Sequence, residues 1–265
     1  MSFVKKVLIK VCGNRFMQNL LEKNAQVSQY LMGIGTGGAV ASSGEKAIFS
    51  FLQQRIQPPY CIFDIGSNKG QFLKLIQQNV KTEQYSIHCF EPGHETFKIL
   101  AQTANNDPRI HLNNFGLGKE KGDAVLHYDN AGSTFASLTK RQLDHLSIDF
   151  SQSEKVEITT LDQYCLDNAI NHIHLLKIDI EGHELDALAG AQRMFAEKAI
   201  DIVTFEFGGC NIDTRTYFRD FWSFFNHLDF SLLRITPSGY LQPIQSYNEL
   251  HEQFRTINFI AIRNN

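Results

Sequence analysis

The chain has 265 residues, of which 43% are hydrophobic and 20% charged, with a formal net charge of −3 and a pI near 6.4. That length supports one large α/β domain with a sizeable core; the mild acidity offers no field for nucleic acid, and no stretch approaches the ~20 consecutive apolar residues that would cross a bilayer. The five cysteines are odd in number and scattered, which suits reduced thiols in a cytoplasm better than a disulfide framework.

Residues 1–58 carry helical periodicity and no strand pattern, so they read as a helical extension ahead of a main domain spanning 59–265. The opening is basic and apolar, but Lys10 breaks the run too soon for a signal peptide. A basic amphipathic helix on a membrane surface is one reading; a helix packed on the main domain is the favoured one. A second helix is expected over 15–31. Then comes Gly33-Ile-Gly35-Thr-Gly37-Gly38, which spells Gly-x-Gly-x-x-Gly. A helix precedes it where a dinucleotide site needs a strand, so it reads as a flexible turn that could fold over a ligand at the sheet's edge. Ser42 and Glu45 fit a capping box for a third helix.

From Tyr60 onward the pattern alternates. Strands are expected at 60–65, 85–91, 109–115, 174–179, 201–207, 229–235 and 256–263, and helices at 70–79, 94–104, 183–197 and 214–227. Such alternation argues for a largely parallel sheet covered on both faces. The last two strands lack a long crossover helix and should close as an antiparallel pair. Residues 120–160 interrupt the alternation with two short edge strands, 124–128 and 155–159, around a polar loop. Thr160 and Gln163 form a capping box for a short helix. Phe218, Phe221, Trp222 and Phe225 share one helical face, which marks core packing rather than a docking surface.

Three stretches carry chemistry. In Tyr60-Cys-Ile-Phe-Asp64-Ile-Gly66-Ser-Asn68-Lys-Gly70-Gln-Phe72, a strand breaks into a glycine-bracketed turn and then a helix. Gly66 permits backbone angles closed to other residues. Gly70 lets the helix approach the strand and any ligand above it. Glu91 ends the next strand, 21 residues after Gly70. An acid there can accept both hydroxyls of an adenosine ribose, although with Pro92 it could also simply begin a helix. The third stretch runs from His174 to Leu185. Asp179 closes a central strand and Glu206 closes the next. Two carboxylates facing one cleft can move a proton, orient a hydroxyl or share a divalent cation. Glu181 and Glu184 at the following helix start fit its dipole. The pairs His94-Glu95, His183-Glu184 and His251-Glu252 never complete a zinc motif, and His172-x-His174 reads as a satisfied pair. No metal site is assigned.

Phe63-Asp-Ile-Gly-Ser-Asn-Lys-Gly-Gln-Phe72, Cys89-Phe-Glu-Pro92 and Leu176-Lys-Ile-Asp-Ile-Glu-Gly-His-Glu-Leu185 together resemble the FkbM-type methyltransferase family, with Asn114-Phe-Gly-Leu-Gly118 and Thr159-Thr-Leu-Asp-Gln-Tyr164 in support. The resemblance covers roughly 58–264. It implies a class I, Rossmann-like fold dependent on S-adenosylmethionine, with a seven-stranded sheet whose last strand is antiparallel. It also implies O-methylation of a sugar, glycan or natural-product hydroxyl. By matching position, Asp64, Gly66, Asn68 and Gly70 would hold the methionine end of the cofactor. Glu91 and Pro92 would serve the ribose, and Asn114 and Phe115 would lie beside adenine. Asp179, with Glu206, would act near the sulfonium and the acceptor. Ser67 stands where the family often has alanine. Two rivals remain. A nicotinamide-dependent oxidoreductase would need Gly-x-Gly-x-x-Gly after the first strand, and a non-catalytic binding module would turn nothing over.

Overall fold

The structure, a computed structural model, describes residues 3–38 and 42–264. The outer ends of the two expected units, residues 1–2 and 265, lie outside the described residues, as do 39–41. Three helices come first: α1 (Phe3–Cys12), α2 (Arg15–Leu31) and α3 (Lys46–Arg55). The alternating part follows as β1 (Tyr60–Ile65), α4 (Gln71–Asn79), β2 (Tyr85–Phe90), α5 (His94–Ala104) and β3 (Ile110–Asn113). Next come β4 (Gly116–Leu117), β5 (Gly122–Tyr128), β6 (Gln152–Thr159), α6 (Leu161–Asp167) and β7 (Ile173–Ile178). The last third contains α7 (Glu184–Ala189), α8 (Gln192–Ala196), β8 (Ile200–Phe207), α9 (Cys210–Thr214) and α10 (Phe218–His227). It ends with β9 (Phe230–Ile235), β10 (Leu241–Ile244) and β11 (Ile257–Arg263).

The main sheet runs β10-β9-β11-β8-β7-β1-β2-β3. Strands β3, β2, β1, β7 and β8 are parallel. β11 inserts antiparallel between β8 and β9, which gives the expected antiparallel pair. The sheet has eight strands, not seven. The extra one, β10, folds back on β9 with Pro243 opposite Leu233. Proline cannot donate to a ladder, so the segment does not read as a strand, yet an edge position tolerates it.

Other boundaries also differ from the sequence reading. The two strands of the 120–160 region do not edge the main sheet. They pair with each other, Gly122 opposite Ile158 through Tyr128 opposite Gln152, and β4 completes a separate three-stranded sheet. The helix expected over 183–197 is two helices. A Cβ at Gly190 would sit 2.1 Å from the carbonyl oxygen of Gly118, so the chain between α7 and α8 passes directly against that loop. The helix expected from 214 begins at Phe218, because Arg215 is left-handed (φ 58°) and ends α9.

Successive strand residues point to opposite faces, and each face has its own core. Phe63, Leu176, Val203 and Phe205 pack with Leu188, Phe221 and Phe225 on one side. Ile62, Leu175, Ile202 and Ile260 pack with Phe49, Leu52, Phe72 and Ile76 on the other. Full burial of such a side chain contributes roughly 1.5–3 kcal/mol. The aromatic face of α10 is core as expected, with Phe221 stacked on Phe205 at 4.7 Å. Among the described residues of the leading helices, only those of α3 join a core, through Ile48, Phe49 and Leu52. α2 has no buried residue, and in α1 the described side chains, residues 5–12, are exposed except for half-buried Cys12, so the expectation that the first helix packs on the main domain is not met.

Candidate active site

The turn after β1 is built by hydrogen bonds to its neighbours. The Gly66 and Ser67 amides both donate to the Phe90 carbonyl at 3.0 Å, and Ser67 Oγ donates to the Asp64 carbonyl at 2.7 Å. Gly66 has φ +78°, and a Cβ there would meet the Asp179 carbonyl oxygen at 1.9 Å. The constraint on Gly66 is therefore the backbone at the end of β7. Asn68 is left-handed (φ 47°); its amide donates to Glu91 Oε2 at 3.0 Å and its Nδ2 to the Ser133 carbonyl at 3.0 Å. Gly70 (φ +85°) faces α5, where a Cβ would lie 2.8 Å from Thr103 Cγ2.

Glu91 is 6% exposed. Its Oε1 accepts from the Gly93 amide at 2.9 Å while Oε2 accepts from Asn68. Burial pushes its carboxyl up to about 7, against the pull of those two amides. Each oxygen keeps a second lone pair. Asn114 Nδ2 donates to the Glu91 and Pro92 carbonyls, 2.9 and 3.1 Å away, so this side chain braces the turn that carries Glu91. Phe115 packs on Phe90 and Tyr164.

These elements border a cavity of about 480 Å³ at the carboxyl ends of β1, β2, β7 and β8, where open α/β sheets take their ligands. Gly66, Asn68, Glu91, Pro92, Asp179 and Glu206 line it. Asp64, Gly70, Asn114 and Phe115 stand behind the wall, outside the lining. Asp64 is fully buried and pairs with Lys177 Nζ at 3.2 Å; the two face each other across the β1–β7 register.

Lys177 is the hinge of the site's electrostatics. Its ammonium also lies 3.4 Å from Asp179 Oδ2 and donates to the Gly66 carbonyl at 3.3 Å. Burial works against its charge, yet Asp64, Asp179 and Glu45 outweigh that and hold it protonated, above its ordinary value. The sequence offered a signal here: a lysine inside an apolar central strand, two residues before Asp179, must share that acid's face.

Acids crowd the same region. Burial, then Asp179, Glu181, Glu184 and Glu45, push Glu206 well above the usual carboxylate range. Glu181 is left-handed (φ 55°) and pairs with Arg141. Burial raises it to about 8 despite that guanidinium. Arg141 also lies 3.5 Å from Asp213. Glu181, Glu206 and Cys210 each bring a potential ligand atom within 4.8 Å of the others. Glu184 instead ties the loop, accepting from the Ile180 and Gly182 amides. At the other end of β7, His172 bonds to Asp201 and His174 accepts from the Cys61 amide, and His172, His174 and Asp201 also bring potential ligand atoms within 4.8 Å of one another.

The last wall comes from the glycine-rich segment before α3. The Gly35 and Gly37 amides donate to the Thr256 carbonyl at 3.0 and 3.1 Å. Gly37, Gly38 and Glu45 line the cavity. The expected capping box does not form: α3 begins at Lys46, and Glu45 gives no cap bond. Its carboxylate accepts from Ser43 Oγ at 2.6 Å. Burial raises it to about 7, with Lys177 opposing. Nothing local in the sequence marks Glu45 as a site residue, since its companions lie more than a hundred positions away. Arg141, 40 positions before its partner Glu181, lies in a loop with no pattern of its own, and Glu181 read only as an acid at a helix start.

The profile of the Methyltransferase FkbM domain matches residues 64–232, more than half of the chain. The chain belongs to that family. Among curated relatives of this FkbM-family chain, 2-O-methyltransferase NoeI of Sinorhizobium fredii is 24% identical over 156 residues, covering 56% of this chain and 62% of NoeI. Hexuronic acid methyltransferase AglP of Haloferax volcanii is 22% identical over 148 residues, covering 56% of each protein. The matched part thus spans a little over half the length of each relative. A solved structure of an FkbM methyltransferase from Methylobacillus flagellatus superposes with a TM-score of 0.48 at 16% identity, covering 81% of this chain and 47% of that one.

Proposed function

We propose that this FkbM-family chain is an S-adenosylmethionine-dependent O-methyltransferase whose acceptor is a hydroxyl on a sugar, glycan or small natural product. The observation that carries the reading is the acid-lined cavity at the strands' carboxyl ends, with Glu91 on one wall and Glu45, Asp179 and Glu206 on the others. The donor set fits that cofactor. Glu91 retains lone pairs for two ribose hydroxyls. The acids suit a ligand carrying a sulfonium and an ammonium, and a cation arriving there would relieve the cost of their burial. Asp64, Gly70, Asn114 and Phe115 serve by framing the turn, the lysine and the wall.

The cofactor supplies a methyl group on a positively charged sulfur. An acceptor hydroxyl taking that methyl group would have to give up its proton to a base of this chain. Glu206, which lines the cavity with Asp179, is the candidate to accept that proton once it has released its own, which burial and neighbouring acids hold to higher pH. Asp179, beside Lys177, orients the acceptor and fixes the local charge. The two 2-O- and hexuronic-acid enzymes among its relatives favour a sugar hydroxyl. If Glu181, Glu206 and Cys210 instead hold a divalent ion, that ion would activate the hydroxyl.

Calorimetry with S-adenosylhomocysteine and, in parallel, NAD tests the reading. Saturable binding of the first and none of the second is expected. Methyl transfer from labelled cofactor to a panel of glycosides then separates enzyme from binding module. Turnover that survives chelation and is lost in Glu206→Gln assigns the proton to Glu206; turnover lost to chelator and restored by a divalent ion assigns the cation.

A further inference from the structure

Helices α1 and α2 take no part in the cavity, and both present apolar side chains to solvent. Val7, Leu8 and Val11 fall on one side of α1 and are all exposed, as is Ile9 on the opposite side. On α2, Phe16, Leu20, Val27 and Leu31 form one stripe, between 52% and 75% exposed. Scattered surface leucines need no explanation, but continuous stripes on two consecutive helices do. Neither helix is long and apolar enough to cross a membrane.

The charge on this segment is opposite to that of the rest. The first 32 residues hold Lys5, Lys6, Lys10, Arg15 and Lys23 against one acid, Glu22. That is +4 in a chain of net −3, so everything after it carries −7. Lys6 and Lys10 are exposed and lie one turn apart on the flank away from Val7, Leu8 and Val11. A short helix with an apolar side and a cationic flank suits a lipid interface.

We propose that α1 and α2 dock this protein on an anionic lipid surface, with the apolar stripes in the acyl boundary and the lysines among the headgroups. A second copy of the chain fits less well, since pairing the same stripes would bring two +4 segments together. α2 runs directly into the glycine-rich segment that lines the cavity, and Gln29 near its end bonds to Arg255 and Gln253. Docking and site are thus joined by one stretch of backbone. The inference does not depend on the proposed reaction.

Vesicle flotation with the full chain tests it. The protein should float with phosphatidylcholine vesicles containing phosphatidylglycerol, far less with phosphatidylcholine alone, and should be released as salt is raised. Each cation near such a surface is worth roughly fivefold in binding. Lys6→Glu with Lys10→Glu should therefore lower partitioning by more than about tenfold. Phe16→Gln with Leu20→Gln should also abolish flotation. An unchanged thermal unfolding curve shows that both variants fold. Failure to float with either vesicle, or flotation indifferent to the charge reversal, overturns the proposal. So does light scattering that finds a dimer which Phe16→Gln with Leu20→Gln converts to a monomer, because the stripe is then an interface between copies.

Discussion

Two glycine-rich segments meet at the cavity, the turn at Gly66–Gly70 and the strap at Gly33–Gly38, and they were legible to very different degrees. In both, glycine is required by backbone passing against backbone. A Cβ at Gly66 would strike the Asp179 carbonyl at 1.9 Å, and one at Gly33 would strike the Ile235 carbonyl at 2.3 Å. The turn after β1 rests on neighbouring parallel strands, so its pattern of strand, glycines, helix and second strand is written within about thirty residues. The strap rests on residues 235 and 256. Its letters matched a dinucleotide fingerprint in the wrong context, and the reading of a flexible turn missed that its partners are two hundred residues away.

The largest expected effects come from breaking either contact. Gly66→Ala and Gly33→Ala should each cost more than about 3 kcal/mol, since both combine a backbone clash with a left-handed φ. Thermal unfolding reads this directly. Loss of ligand binding in a Gly66 variant would thus accompany loss of fold, and cannot by itself assign Gly66 to the cofactor. A Gly33→Ala protein that melts like the wild type would break the comparison, leaving the strap as a loose cover.

Next come the acids that end the strands. Asp179→Asn and Glu206→Gln should each lower turnover by roughly 10²–10⁴, with cofactor affinity in calorimetry changed far less. If binding and turnover collapse together for Asp179→Asn, that residue belongs to the cofactor's wall. The strap's own acid should behave differently. Above pH 7, where Glu45 is ionised, Glu45→Gln removes a charge beside Lys177 and should weaken S-adenosylmethionine by about 1–3 kcal/mol, and S-adenosylhomocysteine, which lacks the sulfonium, by less. Equal losses for the two ligands would remove Glu45 from the sulfonium's surroundings. Glu91→Gln should cost about 1 kcal/mol, because one oxygen still accepts a backbone amide.

The raised carboxyls also set a pH dependence. Glu45 and Glu91 keep their protons in the folded protein to about pH 7, where the unfolded chain loses them near 4.5. The folded state binds more protons on these acids across that window, so they make ligand-free stability fall as pH rises through it; Glu181, held to about 8, extends the fall, and His88, pushed down to about 4 by burial, opposes it below pH 6.5. Glu45→Gln should flatten the fall. A melting temperature that rises steadily from pH 4.5 to 7 in the wild type would contradict the burial of these acids.

The architecture was largely readable, because alternating apolar runs with glycine turns repeat from Tyr60 to the end. β10 was hidden by Pro243, and the split at Gly190 by an approach from Gly118 that no local pattern encodes. The site was half readable. Glu91, Asp179 and Glu206 announce themselves as acids closing apolar strands, and Lys177 shares their signature. Glu45, Glu181 and Arg141 enter through loops whose positions are set only by tertiary contacts.

Hydrogen exchange with and without S-adenosylhomocysteine tests most directly the claim that both segments close on one ligand. Amides of 66–70, 91 and 93 should exchange more slowly with ligand present, and so should those of 33–38 and 42–45. Slowing confined to the turn after β1, or absent from both segments, would contradict the account.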